Sequence, residues 1–197
     1  NEWRYVKECL DTNWVSSVGP FVDRFERMAA DYVGTKYAVA TVNGTAAIHV
    51  ALMLVGVKPG EEVLVPTLTF IAPANAVRYV GAVPFLVDID SEYLQMDVNL
   101  LVRFLEQDCK STDGKLFNRK TGRRIAAIMP VHLLGHPVEM DSVLDVARKY
   151  KIPVVEDASE SLGATYKGQP VGGLGSVGCF SFNGNKTVTT GGGGMLV

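Results

Sequence analysis

The chain has 197 residues, 47% of them hydrophobic and 20% charged, with a formal net charge of -2. This is the balance of a globular domain with a real core, or of one domain and the start of a second, and it excludes a disordered chain or one drawn by its overall field to nucleic acid or a membrane surface. Cys9, Cys109 and Cys179 are odd in number and form no Cys-x-x-Cys pair, which argues against a disulfide framework or a structural zinc site. With no signal-peptide pattern and no long apolar run, the expected location is the cytoplasm.

In chain order, Tyr37 to Thr41 reads as a strand, followed by a helix from about Ala46 to Val55 that the Gly56 region and Pro59 close. Glu62 to Val65 and Val83 to Val87 read as strands, with a helical stretch near Pro73 to Val80 between them. Asp97 suits the N-cap of a helix across Leu100 to Glu106, and Lys115, Arg119, Lys120, Arg123 and Arg124 suit a solvated hairpin. Ile125 to Met129 is a strand of the buried type, and Asp141 is expected to cap a helix running to Tyr150. Ile152 to Val155 reads as a strand that ends at Glu156-Asp157, and Cys179 to Phe182 as another. The residues from Gly194 to Val197 read as a strand that has only begun, so the expectation is the front part of a longer protein. Such alternation implies an α/β domain with a largely parallel sheet, whose ligands sit at the carboxyl ends of the strands.

Three stretches carry candidate chemistry. In Asn43-Gly44-Thr45-Ala46-Ala47 a strand ends and a helix starts at once, which makes either an anion site or an ordinary cap built on Asn43 or Thr45. Val154-Val155-Glu156-Asp157-Ala158-Ser159-Glu160 delivers a carboxylate to the tip of a buried strand. That carboxylate either caps the next helix or pairs with a protonated pyridine nitrogen. Ser181-Phe182-Asn183-Gly184-Asn185-Lys186, followed by Thr187 and the run Gly191 to Gly194, sets a lysine in a loop of small residues. There it is either solvated or close enough to a bound aldehyde to form a Schiff base. A phosphate-binding P-loop is excluded because Asn185 stands where the motif needs glycine, and no glycine fingerprint for a dinucleotide follows the first strand. His132 and His136 have the spacing of a metal pair, but Gly135 and Pro137 break any helix there, so no metal is expected. His49 is expected to be partly buried, and Trp3 and Trp14 to be packing residues.

Taken in order, together with Leu68-Thr69-Phe70 and Gly191 to Met195, these stretches resemble the DegT/DnrJ/EryC1/StrS sugar aminotransferases. The resemblance runs from the Trp14 to Pro20 region to the last residue. It implies a three-layer α/β fold, that of the pyridoxal-phosphate-dependent transferases of fold type I. Residues 1–197 would supply the N-terminal segment and the large cofactor-binding domain, with the small C-terminal domain absent. It further implies that Lys186 is the Schiff-base lysine and Asp157 the partner of the pyridine nitrogen. Gly44, Thr45 and Ala46 would cradle the cofactor phosphate with Ser181, Phe70 would stack on the ring, and Ser159 would pack on its other face. Glu160 stands near the cofactor's 3-hydroxyl, where many members of the family have glutamine; relatives of the perosamine-synthase and nonulosonic-acid type share the glutamate.

The activity so implied is amino transfer from glutamate to a nucleotide-linked 4-keto-6-deoxy sugar, for surface polysaccharide or amino-sugar synthesis. Similarity slightly favours a UDP carrier, and the active sites are expected to be shared across a homodimer. A sugar dehydratase of the same family would carry histidine in place of Lys186, and a non-catalytic relative would lose Lys186 or Asp157.

Overall fold

A computed structural model describes residues Asn1–Val197. Two helices, α1 (Glu2–Asp11) and α2 (Pro20–Val33), lead into β1 (Val39–Thr41), α3 (Gly44–Leu54), β2 (Glu62–Pro66), α4 (Ile71–Tyr79) and β3 (Val83–Val87). Then come α5 (Val98–Arg103), the hairpin of β4 (Cys109–Thr112) and β5 (Lys115–Asn118), β6 (Ile125–Ile128), α6 (Met140–Tyr150) and β7 (Val155–Asp157). A small hairpin of β8 (Thr165–Tyr166) and β9 (Gln169–Pro170) precedes β10 (Val177–Ser181) and β11 (Gly194–Leu196).

The strands assemble as β1-β11-β10-β7 and β3-β2-β6, and parallel bridges from Ile128 to Val154 and from Val131 to Asp157 join β6 to β7. The result is one central sheet, parallel throughout except for β11, which runs antiparallel to both β1 and β10. All five residues of β2 are buried, as a strand covered on both faces requires. Because side chains alternate along a strand, Val63 and Val65 face one layer and Leu64 the other. On the first face, Ile48 and Leu52 of α3 and Val77 of α4 pack against Val63, Val65, Val155 and Cys179. On the second face, Leu101 of α5 and Val143 and Val146 of α6 cover Leu64, Ile128 and Val154, while Ala30 and Val33 of α2 cover Phe180 and Met195.

Several boundaries differ from the sequence reading, each for a local reason. The first strand is shorter, and α3 begins two residues earlier because the Asn43 carboxamide accepts the Ala46 amide at 2.8 Å and so caps it. Gly56, at φ +81°, closes α3 in the left-handed region where glycine carries no penalty. Asp97 caps α5 as expected, accepting the Asn99 and Leu100 amides, but that helix loosens into a π turn over Phe104–Asp108. The cap of α6 is Glu139, which accepts the Ser142 amide at 3.0 Å, and not Asp141. The reason is upstream: the Val138 amide is fixed on His132 Nδ1 at 3.1 Å, so the helix starts before Asp141, whose carboxylate pairs with Lys167 instead. The expected basic hairpin is present, but Arg124 is bound to Glu61 at 2.9 Å and Arg123 stands 3.8 Å from Glu62. His49 is partly buried and meets Tyr79 edge to face. Trp3 and Trp14 do not pack into the core: they are 73% and 47% exposed, and α1, which carries Trp3, buries none of its residues.

No helix is long and apolar enough to cross a membrane. The first core layer hangs on α3, and Ile48 is fully buried in it. Ile48→Ala in the full-length protein should cost about 2–5 kcal/mol, the range for deleting a buried aliphatic side chain. Urea unfolding measures it; a loss below about 1 kcal/mol would show that this layer closes over the cavity.

Candidate active site

The carboxyl ends of β1, β7 and β10 open onto one cavity of about 270 Å³, which Gly44, Thr45, Phe70, Asp157, Ser159, Glu160, Ser181 and Lys186 line. These residues come from four separate stretches of chain, and the sheet is what brings them together. Ala46, expected beside Thr45, is not in the wall: its amide is taken by the Asn43 cap. The two amides before it, those of Gly44 and Thr45, are the unpaired N–H groups of the helix end, where the helix dipole is positive.

Gly44 is the point of closest approach. A Cβ there would sit 2.8 Å from Ser181 Cβ and 3.2 Å from Ser159 Oγ, so only glycine lets the start of α3, the end of β10 and the loop after β7 meet. Phe70 precedes α4 and is 73% exposed, leaving its ring free at the cavity edge. Thr69 Oγ1, in the same wall, is buried with no hydrogen-bond partner.

Asp157 ends β7 and is 4% exposed. Its backbone is pinned to the neighbouring strand, N–H to the Pro130 carbonyl and carbonyl to the His132 amide, both at 3.0 Å. Its carboxylate accepts the Ser159 amide at 3.0 Å. Burial pushes the Asp157 carboxyl up; Ser159 and the nearby His132 and Lys186 offset only part of that. Lys186 Nζ lies 3.1 Å from Glu160 Oε1, and Glu160 Oε2 accepts the Leu134 amide at 2.8 Å. Against the penalty of burial, the Leu134 amide and Lys186 hold the Glu160 carboxyl below the usual range.

A second network was not legible in the sequence. His132 and Glu156 are both fully buried and joined, Nε2 to Oε2, at 3.0 Å. Since His132 Nδ1 accepts the Val138 amide, the ring proton belongs on Nε2 and is donated to Glu156. Glu156 also accepts the amides of Gly172 at 2.8 Å, Leu174 at 2.7 Å and Gly175. Despite burial, His132 and these amides keep its carboxyl low. From the sequence alone His132 is weighed only as a possible metal partner of His136, whereas a carboxylate stands directly against it. What the sequence lacked was the register that brings β6 beside β7.

Among known proteins, the model of the DegT/DnrJ/EryC1/StrS aminotransferase family matches residues 1–197. The chain belongs to this family. GDP-perosamine synthases of Caulobacter vibrioides and Escherichia coli O157:H7 are 48% and 43% identical to it over 196 residues, covering 100% of this chain and 48% and 50% of theirs. The X-ray structure of the aminotransferase from Psychrobacter cryohalolentis matches with a TM-score of 0.85 at 34% identity, covering 100% of this chain and 46% of that one. The chain thus spans about half the length of the relatives it matches. Its architecture is that of the fold type I transferases, and the aminotransferases of the DegT/DnrJ/EryC1/StrS family depend on pyridoxal phosphate.

Two outcomes test this geometry. Gly44→Ala should weaken cofactor binding by roughly tenfold or more, about 1.4 kcal/mol, without changing far-ultraviolet circular dichroism. Unaltered affinity would mean that Ser181 moves aside freely. The second concerns pH. Because the folded Asp157 carboxyl is raised, the cofactor-free fold holds a proton that the unfolded chain releases from about pH 4 upward. Its contribution is full below that range and is lost as pH rises through the raised value. Asp157→Asn should therefore flatten the decline and leave the cofactor-free protein at least as stable at pH 7, as urea unfolding across pH would read; a lower stability there would contradict the assignment.

Proposed function

We propose that the full-length protein is a pyridoxal-phosphate-dependent aminotransferase acting on a nucleotide-linked 4-keto-6-deoxy sugar, with glutamate as amino donor. The observation that carries this reading is the convergence of Lys186, Asp157 and the open end of α3 on one cavity. The residues present fit the cofactor. The Gly44 and Thr45 amides and the Ser181 hydroxyl would hold its phosphate, with no Cβ at Gly44 to fill the space. The Phe70 ring would cover one face of the pyridine and Ser159 the other. Thr69 Oγ1, buried and unpartnered, is a further polar atom that a bound group would satisfy.

Bound there, pyridoxal phosphate supplies an aldehyde that condenses with amines and a ring that accepts electron pairs. The chain's own residues do the rest. Asp157, costly to ionise while buried, gains a cationic partner in a protonated pyridine nitrogen and keeps the proton there. Lys186, 16% exposed at its side chain, is held inside the cavity and carries protons to and from the substrate carbon. The His132–Glu156 pair, tied to the Gly172 to Gly175 loop, fixes the backbone on which Asp157 stands. Because both half-reactions use the one lysine, ping-pong kinetics are expected. Residues 1–197 would form the N-terminal segment and large domain, with the site completed across a cytoplasmic homodimer.

The GDP-perosamine synthases among the relatives favour a GDP carrier over the UDP carrier that the sequence resemblance leaned towards. The test uses full-length enzyme, cofactor and glutamate with GDP-, UDP- and dTDP-linked 4-keto-6-deoxy sugars and with a 3-keto sugar. The GDP-linked 4-keto sugar should be aminated, Lys186→Ala should abolish transfer, and borohydride should leave the pyridoxyl group on Lys186. Amination of the 3-keto sugar alone, or trapping on another lysine, refutes the reading.

A further inference from the structure

We propose that Glu160 is the proton partner of Lys186 and that the turn at Leu134 is what aims it. This rests on the cofactor reading of Lys186 above. Glu160 bridges two donors, Lys186 Nζ at 3.1 Å on one oxygen and the Leu134 amide at 2.8 Å on the other. It is the carboxylate in ion-pair contact with Lys186; Asp157, the other acid of the cavity, is turned to the Ser159 amide. Leu134 reaches Glu160 only by adopting φ 53° and ψ 26°, a left-handed conformation uncommon for a leucine, with its side chain 84% exposed. Backbone held in such a region clusters where a site must be positioned. Gly135 follows at φ +82°, and a Cβ there would stand 3.2 Å from the Glu160 carbonyl oxygen, so the turn braces the backbone of Glu160 as well as its carboxylate.

The chemistry that this pair can perform is a proton exchange. An ammonium cannot attack a carbonyl. When Lys186 condenses with an aldehyde, a carbon–nitrogen bond forms and the carbonyl oxygen leaves as water with two of the three ammonium hydrogens. The third hydrogen goes to Glu160, which passes it on to water, because its carboxyl lies below the usual range. When another amine displaces the lysine, a proton reaches the freed nitrogen by the same route and the ion pair closes again. Glu160 thus takes the proton on loading and holds the lysine between half-reactions. The Leu134 amide favours the ionised carboxylate and so keeps Glu160 ready to accept.

The test is the loading of cofactor-free, full-length protein with pyridoxal phosphate, followed by absorbance, in wild type and in Glu160→Gln. Glutamine keeps the size and one acceptor oxygen, sets an NH2 donor where the second oxygen stood, and cannot take a proton. Loading should slow by about tenfold, the effect of one lost proton-transfer group at the low end of its range. The affinity for pyridoxamine phosphate, which has the same 3-hydroxyl but no aldehyde to condense, should fall by clearly less than the loading rate does. Loading at the wild-type rate, or an equal loss for both compounds, would overturn the proposal. Borohydride trapping on Lys186 in the same samples keeps the two questions apart: a pyridoxyl group elsewhere would refute the cofactor reading instead.

Discussion

Everything at the site depends on a missing side chain. At Gly44 the first turn of α3 lies so close to Ser181 and Ser159 that no Cβ fits between them. That contact closes the cavity from three directions and leaves two amides of the helix end unpaired inside it. Asn43 makes the arrangement asymmetric: it satisfies the third amide and so confines the positive end of the helix to Gly44 and Thr45. Without that cap the positive potential would be spread over the whole first turn. The sheet then supplies the opposing walls, because β7 and β10 are parallel neighbours and both end at this edge.

The electrostatics divide the two acids of the cavity by their surroundings. Asp157 is buried with one amide on its carboxylate and is raised; Glu160 is more open, has both oxygens occupied, and is lowered. Two carboxyl groups in one cavity with opposed shifts are suited to different tasks. The third acid, Glu156, is deeper still but accepts hydrogen bonds from His132 and three backbone amides, so its charge is fully used within the fold. It holds the loop beneath Asp157 together, and of this pair only His132 borders the cavity.

Much of this was legible in the sequence where a residue's role is local. The tip of β7 at Asp157, the glycine that opens α3 and the small-residue loop around Lys186 can each be recognised from neighbours in the chain. The alternation of strands and helices likewise announces a parallel sheet. What could not be read depends on register or on distant partners. Asp141 looked like a cap because nothing local reveals that Val138 is already fixed on His132. Ala46 entered the cradle through the family resemblance, and only the folded chain shows that Asn43 is the cap that takes its amide. The buried His132–Glu156 pair joins residues from two strands whose adjacency only the folded sheet establishes. The exposed Trp3 misleads for the opposite reason: a large aromatic residue predicts burial, and α1 has no layer of this chain to bury it against.

The antiparallel strand β11 has a consequence for the order in which the molecule is made. The β-ladder of β1 runs along β11 alone, Val39 opposite Leu196, so the early strand waits for residues near the other end of the sequence. During synthesis, β2, β3 and β6 can assemble with α4, α5 and α6 as soon as they emerge, without waiting for β11. The Asn43–Gly44 corner cannot settle until Gly194 arrives, since Gly194 itself lies against the Asn43 backbone with no room for a Cβ. Non-local closure of this kind is slow and leaves apolar strand edges uncovered while it is pending. A nascent chain halted before residue 194 would therefore carry a formed half-sheet and an open Asn43–Gly44 corner, with apolar strand edges still uncovered.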